Sequence, residues 1–251
     1  MLTSQRKSLI LSRLQRDGRV LAKDIALELE VSEDTIRRDM RDMAAAGLLS
    51  RVHGGALPIS PDLPDFSTRK SHASLQKQAL AARAIALIKP GQMVFLDGGT
   101  TNAEIARLLP QNFGLTLVTH SPTIAMELEK RDDVEVILIG GRLYRHSMVA
   151  VGAIAADAIS RLRPHLFFLG ATALHPQHGA TTGDPEEAAI KRLITSVSAE
   201  TWLCLTEDKL DLLSPCQIVP LVGLAGAILS ATVEEERIQP YRAAGLSVIR
   251  T

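Results

Sequence analysis

Residues 31–41 (VSEDTIRRDMR) place several charged side chains on one side of a predicted helix. The charged residues recur at i, i+3, i+4 and i+7, which puts them on a single face: Asp34, Arg37, Arg38 and Arg41. A helix with a cationic outward face suits a DNA groove, because lysine and arginine neutralise backbone phosphates. The spacing therefore predicts a helix that contacts DNA.

The sequence also contains the elements that must position this helix. Ser32 is a suitable N-cap, and an apolar stripe faces inward, formed by Ile36, Met40 and Met43. Two upstream helices are predicted, one from Leu9, Ile10 and Leu14, and one from Val20, Ile25, Ala26 and Leu29. Glu30 and Val31 form the turn between the second and third helices. This spacing predicts a helix-turn-helix.

A short hairpin is predicted directly after the third helix. Gly47 can end that helix in a left-handed conformation, and residues 48–56 then form a β-hairpin, which we call the wing. We expect the helix arginines to bind mainly phosphates. The residues expected to reach base edges are Ser32, Asp34, Thr35 and one of the arginines. The wing contacts are expected from Arg51, His53 and Gly54.

Charge pairing within the helix is the alternative explanation for the arginines. They could form ion pairs with Glu33, Asp34, Asp39 and Asp42 on a solvated face. Residues 1–57 contain ten Lys and Arg against eight Asp and Glu, so the net charge of +2 does not decide between the two. Only the local placement of the arginines favours DNA.

A second set of candidate residues follows a strand predicted at 93–96. Asp97 is followed by two glycines and two threonines at the start of a helix: Gly98, Gly99, Thr100 and Thr101. Glycines let a ligand approach the backbone, and the free N–H groups of a helix N-terminus attract anions. We predict a phosphate cradle without the lysine of a P-loop.

Three further predicted strands end in small or polar residues. These ends contain Thr119, His120 and Ser121; Gly140, Gly141 and Arg142; and Gly170, Ala171 and Thr172. A later segment contains Thr181, Asp184 and Glu187 and precedes a helix with Lys191. Each set could be an ordinary turn or helix cap. Ligands of parallel sheets bind beyond the carboxyl ends of the strands, so together these residues predict a ligand site.

Apolar runs alternate with helical patterns through the rest of the chain. The predicted strands are 93–96, 115–118, 134–139, 166–169, 202–205, 227–229 and 246–249. The predicted helices are 75–88, 101–109, 123–130, 154–162 and 185–198. Near-continuous apolar strands indicate a mainly parallel sheet covered on both faces. The predicted fold is α/β: an N-terminal winged helix-turn-helix and a C-terminal Rossmann-like, doubly wound sheet.

Length and composition bound the organisation of the chain. Its 251 residues, 46% of them apolar, predict two domains, at 1–57 and 75–251, joined by a proline- and serine-rich linker at 58–74. Cys204 and Cys216 are the only cysteines, and no disulfide is expected. No signal peptide or membrane-spanning run is apparent, so we expect a cytoplasmic protein without membrane contact.

The N-terminal residues resemble the DNA-binding domain of DeoR-type bacterial repressors. The resemblance rests on Thr35-Ile36-Arg37-Arg38-Asp39, Gly47, Arg51 and His53-Gly54-Gly55-Ala56. The C-terminal part resembles the sensor domain of the same family, whose sheet is similar to that of ribose-5-phosphate isomerase. Matching residues there include Asp97, Gly99-Thr100-Thr101, Gly140-Gly141, Lys191 and Lys209.

The resemblance implies a function for both parts. It implies a repressor of a carbohydrate-metabolism operon that a phosphorylated sugar or sugar acid releases from its DNA. It also adds Lys209 to the expected effector site. Three positions depart from the family: His120 stands where Asn is usual, Thr206 where Asp is usual, and Ser230-Ala231 where Thr-Asp is usual. A body that no longer binds the usual effector therefore stays an alternative.

Other chemistries find less support in the sequence. Asp184, Glu186, Glu187, Lys191 and Lys209 supply the residue types that a sugar-phosphate isomerase needs, so an enzyme stays a second alternative. His175 and His178 lie in a proline- and glycine-containing loop without a third ligand at a usual spacing, so no metal site is expected. No cofactor motif and no catalytic triad is apparent.

The expected mechanism uses both ligand surfaces. A homodimer or homotetramer would place two recognition helices in successive major grooves of a palindromic operator. In bacteria such a protein would be cytoplasmic and associated with the nucleoid when bound to DNA. A sugar phosphate bound to the body would change the spacing of the two N-terminal domains.

Overall fold

The computed structural model describes residues 2–59, 66–71 and 74–251. The N-terminal part contains three helices and three short strands. They are α1 (Thr3–Asp17), β1 (Val20–Leu21), α2 (Ala22–Glu28), α3 (Glu33–Ala45), β2 (Ser50–Val52) and β3 (Gly55–Leu57). The strands form an antiparallel sheet in the order β1-β3-β2. This is the winged helix-turn-helix that the sequence predicts.

Helix α3 begins and packs as expected. The Ser32 hydroxyl accepts a hydrogen bond from the backbone N–H of Thr35, which confirms the predicted N-cap. Met40, Met43 and Ile36 are almost fully buried in a common core with α1 and α2. Gly47 has φ +69°, the left-handed conformation expected at the end of this helix.

One boundary in this region differs from the prediction. Val20 was expected in the second helix, but it lies in β1 and pairs with Ala56 of the wing. Gly55 makes this pairing possible, because a Cβ at Gly55 would lie 2.0 Å from the Val20 carbonyl oxygen. Strand pairing through tertiary contact therefore overrides the local helical pattern at Val20.

The C-terminal part begins with two helices and continues as alternating strands and helices. The helices are α4 (Phe66–Ser71), α5 (Ser74–Ile85), α6 (Thr100–Leu108), α7 (Pro122–Glu127), α8 (Ala153–Ser160), α9 (Pro185–Val197) and α10 (Glu235–Ala243). The strands are β4 (Met93–Leu96), β5 (Thr116–Thr119), β6 (Glu135–Leu138), β7 (Arg142–Tyr144), β8 (Val149–Val151), β9 (Leu166–Leu169), β10 (Ala173–His175), β11 (Gly179–Thr182), β12 (Glu200–Leu205), β13 (Cys216–Val219), β14 (Gly226–Leu229) and β15 (Val248–Arg250).

Seven of these strands form one parallel sheet in the order β15-β14-β12-β9-β4-β5-β6. They are the seven predicted strands, and their ends differ from the predicted ones by at most two residues. Alternate side chains enter different cores: Phe95 packs against α8 and α9, whereas Val94 and Leu96 pack against α5 and α6. Helices cover both faces, so the doubly wound fold is confirmed.

Two small antiparallel units were not predicted. One is the β7–β8 hairpin, and the other is a sheet in the order β10-β11-β13. Their strands have only three or four residues, and segments such as Gly-Ala-Thr-Thr resemble loops in composition. They become strands because a partner strand from elsewhere in the chain pairs with them.

The predicted linker at 58–74 contains a helix in the structure. Phe66 at the start of α4 is buried with Leu80 and Leu109 in the core beneath α5 and α6, so this stretch is partly packed. Residues 60–65 and 72–73 lie outside the described residues. Within the described ranges, no helix is both long and apolar enough to cross a membrane.

Candidate nucleic-acid interface and ligand cavity

The outward face of α3 carries exposed cations. Arg37, Arg38 and Arg41 are all exposed, as is Asp34. Arg37 forms an ion pair with Glu33, one turn earlier, at 2.7 Å. Neither Arg38 nor Arg41 forms an ion pair with any residue that the structure describes. Two arginines of this face are therefore available to phosphates.

The other acidic residues of α3 do not neutralise these arginines. Asp39 is buried and accepts from Arg6 of α1, with 2.7 Å between Arg6 Nε and Asp39 Oδ2. Asp42 pairs with Lys7, also on α1, at 3.4 Å. The two carboxylates fasten α3 to α1, and this leaves the outward side of α3 predominantly cationic. Charge pairing within the helix, the alternative explanation for the arginines, therefore applies only to Arg37 and Glu33.

The other expected DNA contacts border the same helix. The hydroxyl groups of Ser32 and Thr35 lie 2.8 Å apart at its N-terminus. Arg51 and His53 are exposed on the wing. Gly54 has φ +83° in the turn of the wing, and its carbonyl oxygen accepts from Ala22 N–H at the start of α2. That bond fixes the wing relative to the helix-turn-helix.

A cavity of about 330 Å³ lies at the carboxyl ends of β4, β9 and β12. Its lining combines cations, hydroxyl groups, carboxylates and backbone. The lining residues are Arg69, Lys77, Gly98, Gly99, Thr100, Thr101, Asn102, His146, Ser147, Leu169, Gly170, Ala171, Thr172, Glu187, Lys191, Cys204, Thr206, Asp208 and Lys209. This is the sheet edge at which parallel α/β folds bind ligands.

The predicted cradle forms one wall of this cavity. Gly99 has φ +129° immediately before α6, whose first-turn N–H groups have no partner within the helix. A Cβ at Gly98 would lie 2.2 Å from Val149 Cγ1, so this position requires glycine. Thr100 and Thr101 add hydroxyl groups beside the helix N-terminus. The arrangement suits an oxyanion.

A buried ion cluster forms the base of the cavity. Lys191 Nζ lies 3.1 Å from Asp97 Oδ2 and 3.1 Å from Glu187 Oε1, and it donates to the Gly170 carbonyl oxygen at 2.6 Å. Burial opposes the charge on Lys191, but Asp97 and Glu187 outweigh it and raise the pKa of Lys191 above its ordinary value. This lysine is neutralised in place and has little charge left for a ligand.

Two other lysines of the lining bind backbone oxygen atoms. Lys77 Nζ donates to the Arg69 carbonyl oxygen at 2.6 Å, and Lys209 Nζ to the Ala171 carbonyl oxygen at 2.8 Å. Burial lowers the pKa of Lys209 to about 8, and Arg69, Lys191 and Lys77 add to the shift. Burial and Arg69 also lower the pKa of Lys77. Cations that disfavour one another's charge indicate a site that attracts an anion.

Comparison with known proteins identifies the two parts of the chain. Residues 6–62 match the DeoR-like helix-turn-helix domain, and residues 72–229 match the DeoR C terminal sensor domain. The chain belongs to the DeoR family of transcriptional regulators. It therefore contains a DNA-binding domain and a sensor domain of this family.

Curated relatives match almost end to end. The HTH-type transcriptional regulator GlpR of Haloferax volcanii is 35% identical over 252 residues, which cover 99% of this chain and 98% of the relative. The glycerol-3-phosphate regulon repressor of Escherichia coli is 30% identical, covering 83% of each chain. A solved ribose 5-phosphate isomerase of Methanocaldococcus jannaschii is 16% identical over 55% of this chain and 54% of its own, with a TM-score of 0.40.

The curated relatives are named as regulators, and the geometry of this DeoR-family sensor domain agrees with a role in binding. Two of its carboxylates have structural partners. Glu187 is held by Lys191 and by the Thr182 hydroxyl, which donates at 2.6 Å, and Asp97 is buried behind the lining, where Lys191 contacts it. Among the described residues, no cluster of His, Cys, Asp and Glu could hold a metal ion.

The structure brings only part of the expected effector site together. The predicted residues that line the cavity are Gly98, Gly99, Thr100, Thr101, Gly170, Ala171, Thr172, Glu187, Lys191 and Lys209. Asp97 and His120 lie behind this lining, 2.8 Å apart between Oδ1 and Nε2, and are fully buried. Thr119 donates to the Leu96 carbonyl oxygen and Ser121 to that of Met148, so both hydroxyls bind backbone.

The remaining predicted residues lie outside the cavity and have structural partners. Asp184 caps α9 by accepting from Glu187 N–H at 2.8 Å, and Thr181 accepts from Ser214 N–H at 2.9 Å. Arg142 forms an ion pair with Glu186 at the surface. Gly140 and Gly141 come immediately before the β7–β8 hairpin and do not line the cavity themselves. The cavity therefore contains only some of the residues that the sequence predicts for the ligand site.

Several lining residues were missed by the sequence interpretation. Lys77 shares the inward face of α5 with Leu80, Ala81 and Ala84, so a lysine within an apolar stripe was the available signal. Arg69 belongs to the segment expected to be a linker. His146 and Ser147 come from the turn of the unpredicted β7–β8 hairpin. No periodicity in the sequence connects these residues with β4.

We predict that Arg38→Ala combined with Arg41→Ala weakens operator binding and lowers the salt dependence of the binding constant. Removing two phosphate contacts should reduce the slope of log K against log salt concentration by about 2. Fluorescence anisotropy with labelled DNA at several salt concentrations measures both quantities. The matched control is Arg83→Ala with Arg163→Ala, two exposed arginines of the sensor domain. An unchanged slope in the α3 double variant would exclude these arginines from the interface.

Proposed function

We propose that this protein represses a carbohydrate-metabolism operon and that a phosphorylated sugar or sugar acid releases it from the operator. The basic side chains that line the cavity beside a helix N-terminus carry this proposal. Arg69, Lys77 and Lys209 share the lining with Thr100 and Thr101 at the start of α6. A phosphate group can accept hydrogen bonds from such cations and from the N–H groups of a helix N-terminus.

The rest of the lining suits the hydroxylated part of such a ligand. Thr172, Thr206 and Ser147 offer hydroxyl groups, and Glu187 offers carboxylate oxygens. These groups can both donate to and accept from sugar hydroxyls. The relatives named above as a glycerol-3-phosphate regulon repressor and GlpR, and a lactose phosphotransferase system repressor of Lactococcus lactis at 31% identity, support carbohydrate metabolism as the regulated process.

On the DNA side, the exposed residues named above are the proposed contacts. Arg37, Arg38 and Arg41 bind phosphates, Ser32, Asp34 and Thr35 reach base edges, and Arg51, His53 and Gly54 hold the wing against the backbone. A homodimer or homotetramer presents two α3 helices to a palindromic site. Such a protein acts in the cytoplasm of a bacterial cell, where the chromosome lies.

The β10–β11 hairpin supports coupling between the cavity and the DNA-binding domain. At one end of the hairpin, Thr182 contacts Glu187 of the cavity. At its turn, His178 Nε2 donates to the Arg16 carbonyl oxygen of α1 at 3.2 Å. Gly18 at the end of α1 packs so closely on His178 and Leu213 that a Cβ there would lie 3.0 to 3.1 Å from their side chains. A ligand that moves Glu187 therefore has a direct mechanical connection to α1.

We predict that a phosphorylated sugar reduces the affinity of the protein for DNA from the region upstream of its own gene. Glycerol 3-phosphate, ribose 5-phosphate and fructose 6-phosphate are compared by gel shift with the unphosphorylated sugars and with inorganic phosphate. Lys77→Gln and Lys209→Gln should weaken the response by about 10- to 100-fold in ligand concentration, because each removes a charged hydrogen bond. Lys89→Gln, at an exposed lysine, is the control. Release by none of the phosphorylated compounds would refute the sensor proposal.

We also predict that His178→Ala reduces the response to the ligand without reducing ligand binding. Allosteric coupling typically changes affinity about 5- to 150-fold, and loss of this contact should bring that factor towards one. Calorimetry measures ligand binding, and anisotropy measures DNA binding with and without ligand. Gln177→Ala changes the exposed neighbouring residue of the same turn and should keep the full response. If His178→Ala responds like the unmodified protein, the hairpin is not the connection.

A further inference from the structure

The side chain of His120 is fully buried and held between two oxygen atoms. Its Nδ1 lies 2.8 Å from the Ala150 carbonyl oxygen, and its Nε2 lies 2.8 Å from Asp97 Oδ1. Phe95 packs edge to face against the ring, with 5.8 Å between the ring centroids. The imidazole therefore has a fixed orientation and no contact with solvent.

Both contacts require a proton on the imidazole. A carbonyl oxygen can only accept, so Nδ1 must carry a hydrogen. A neutral imidazole has one N–H group, and its Nε2 would then direct a lone pair at the Asp97 oxygen. At 2.8 Å this contact is attractive only if a second proton lies between Nε2 and Oδ1. The pair therefore holds one proton more than a neutral histidine beside a carboxylate.

The partners of Asp97 assign that proton to the histidine. Asp97 Oδ1 also accepts from Gly98 N–H at 2.7 Å, and Oδ2 accepts from Gly170 N–H at 2.8 Å and faces Lys191. Every group around this carboxylate is a donor, which suits an anion. Burial opposes the ionised form, but Lys191 and His120 hold the pKa of Asp97 below its ordinary value.

The charges of the buried cluster then balance. Asp97 from the end of β4 and Glu187 from α9 are negative; Lys191 from α9 and His120 from the end of β5 are positive. Two other titratable groups interact electrostatically with the cluster. Lys191 lowers the pKa of Lys209, and Glu187, together with Asp184, raises the pKa of Tyr144. β8 contributes the neutral carbonyl of Ala150. With a neutral imidazole, the two carboxylates and Lys191 would leave this buried cluster with one net negative charge.

We propose that His120 is a protonated positioning residue that orients Asp97 and keeps the base of the ligand cavity electrically neutral. Asp97 in turn fixes Gly98, Gly170 and Lys191, all three of which line the cavity. An asparagine at this position could supply N–H donors but no charge. The histidine of this chain thus adds a positive charge behind an anion site. The ligand-affinity part of this inference rests on the proposed function, whereas the protonation itself does not.

The first test is nitrogen-15 NMR of the full chain labelled at histidine, with His120→Asn used to assign the signal. Between pH 6.5 and 7.5 we expect both ring nitrogens of His120 to show the shifts of a protonated imidazolium in the absence of any ligand. One protonated and one bare nitrogen would overturn the proposal. This readout remains decisive even if no sugar phosphate binds the protein.

The second test separates charge from positioning at pH 7. His120→Asn should keep the thermal unfolding temperature within a few degrees but weaken glycerol 3-phosphate and inorganic phosphate binding about 10-fold, because one nearby positive charge is lost. His120→Ala should also unfold at a lower temperature, because it leaves Asp97 without this donor. Equal anion affinity in the Asn variant and the unmodified protein would contradict the charge role. Failure of the unmodified protein to bind either anion would refute the proposed function instead, and NMR would still decide the protonation.

Discussion

The sensor domain depends on one buried interaction, the contact of Lys191 with Asp97 and Glu187. Lys191 reaches from α9 to the end of β4 and donates to the Gly170 carbonyl oxygen after β9, so a single ammonium group joins three elements at the ligand-binding edge. Removing either carboxylate would take one negative charge from this buried cluster, which is far more costly than losing a surface ion pair. The cavity, the glycine loop before α6 and the position of Thr182 all depend on this cluster.

The same cluster distinguishes Lys191 from the other cations that line the cavity. Two carboxylates contact Lys191, whereas burial and neighbouring cations lower the pKa of Lys77 and of Lys209. An analogous division occurs on α3. Asp39 and Asp42 bind residues of α1, and this leaves Arg38 and Arg41 for phosphates. In both domains, carboxylates secure the scaffold, and the remaining cations are the ones that we propose to bind the ligand.

The sequence predicted the fold well because its signals are local. The cap at Ser32, the stripe of Met40 and Met43, and the apolar runs of the sheet each depend on a few neighbouring residues. The cavity depends on distant ones: Lys77 and Arg69 approach Gly98 only after α5 packs under the sheet, and Ser147 arrives on a hairpin whose pairing no local pattern encodes. Thr181 and Gly140 are predicted in the ligand site but lie outside the cavity. The sequence shows that both lie near strand ends, but it does not show how far apart these ends are along the edge of the sheet.

Reciprocal linkage provides the most direct test of the account. If the ligand lowers the affinity for DNA, operator DNA must lower the affinity for the ligand by the same factor. Calorimetric titration of the releasing sugar phosphate into free protein and into the protein–operator complex measures both affinities. We predict weaker binding to the complex, by the factor found in the DNA-binding experiment. Equal affinities in the two titrations would contradict the claim that the cavity controls the DNA-binding domain.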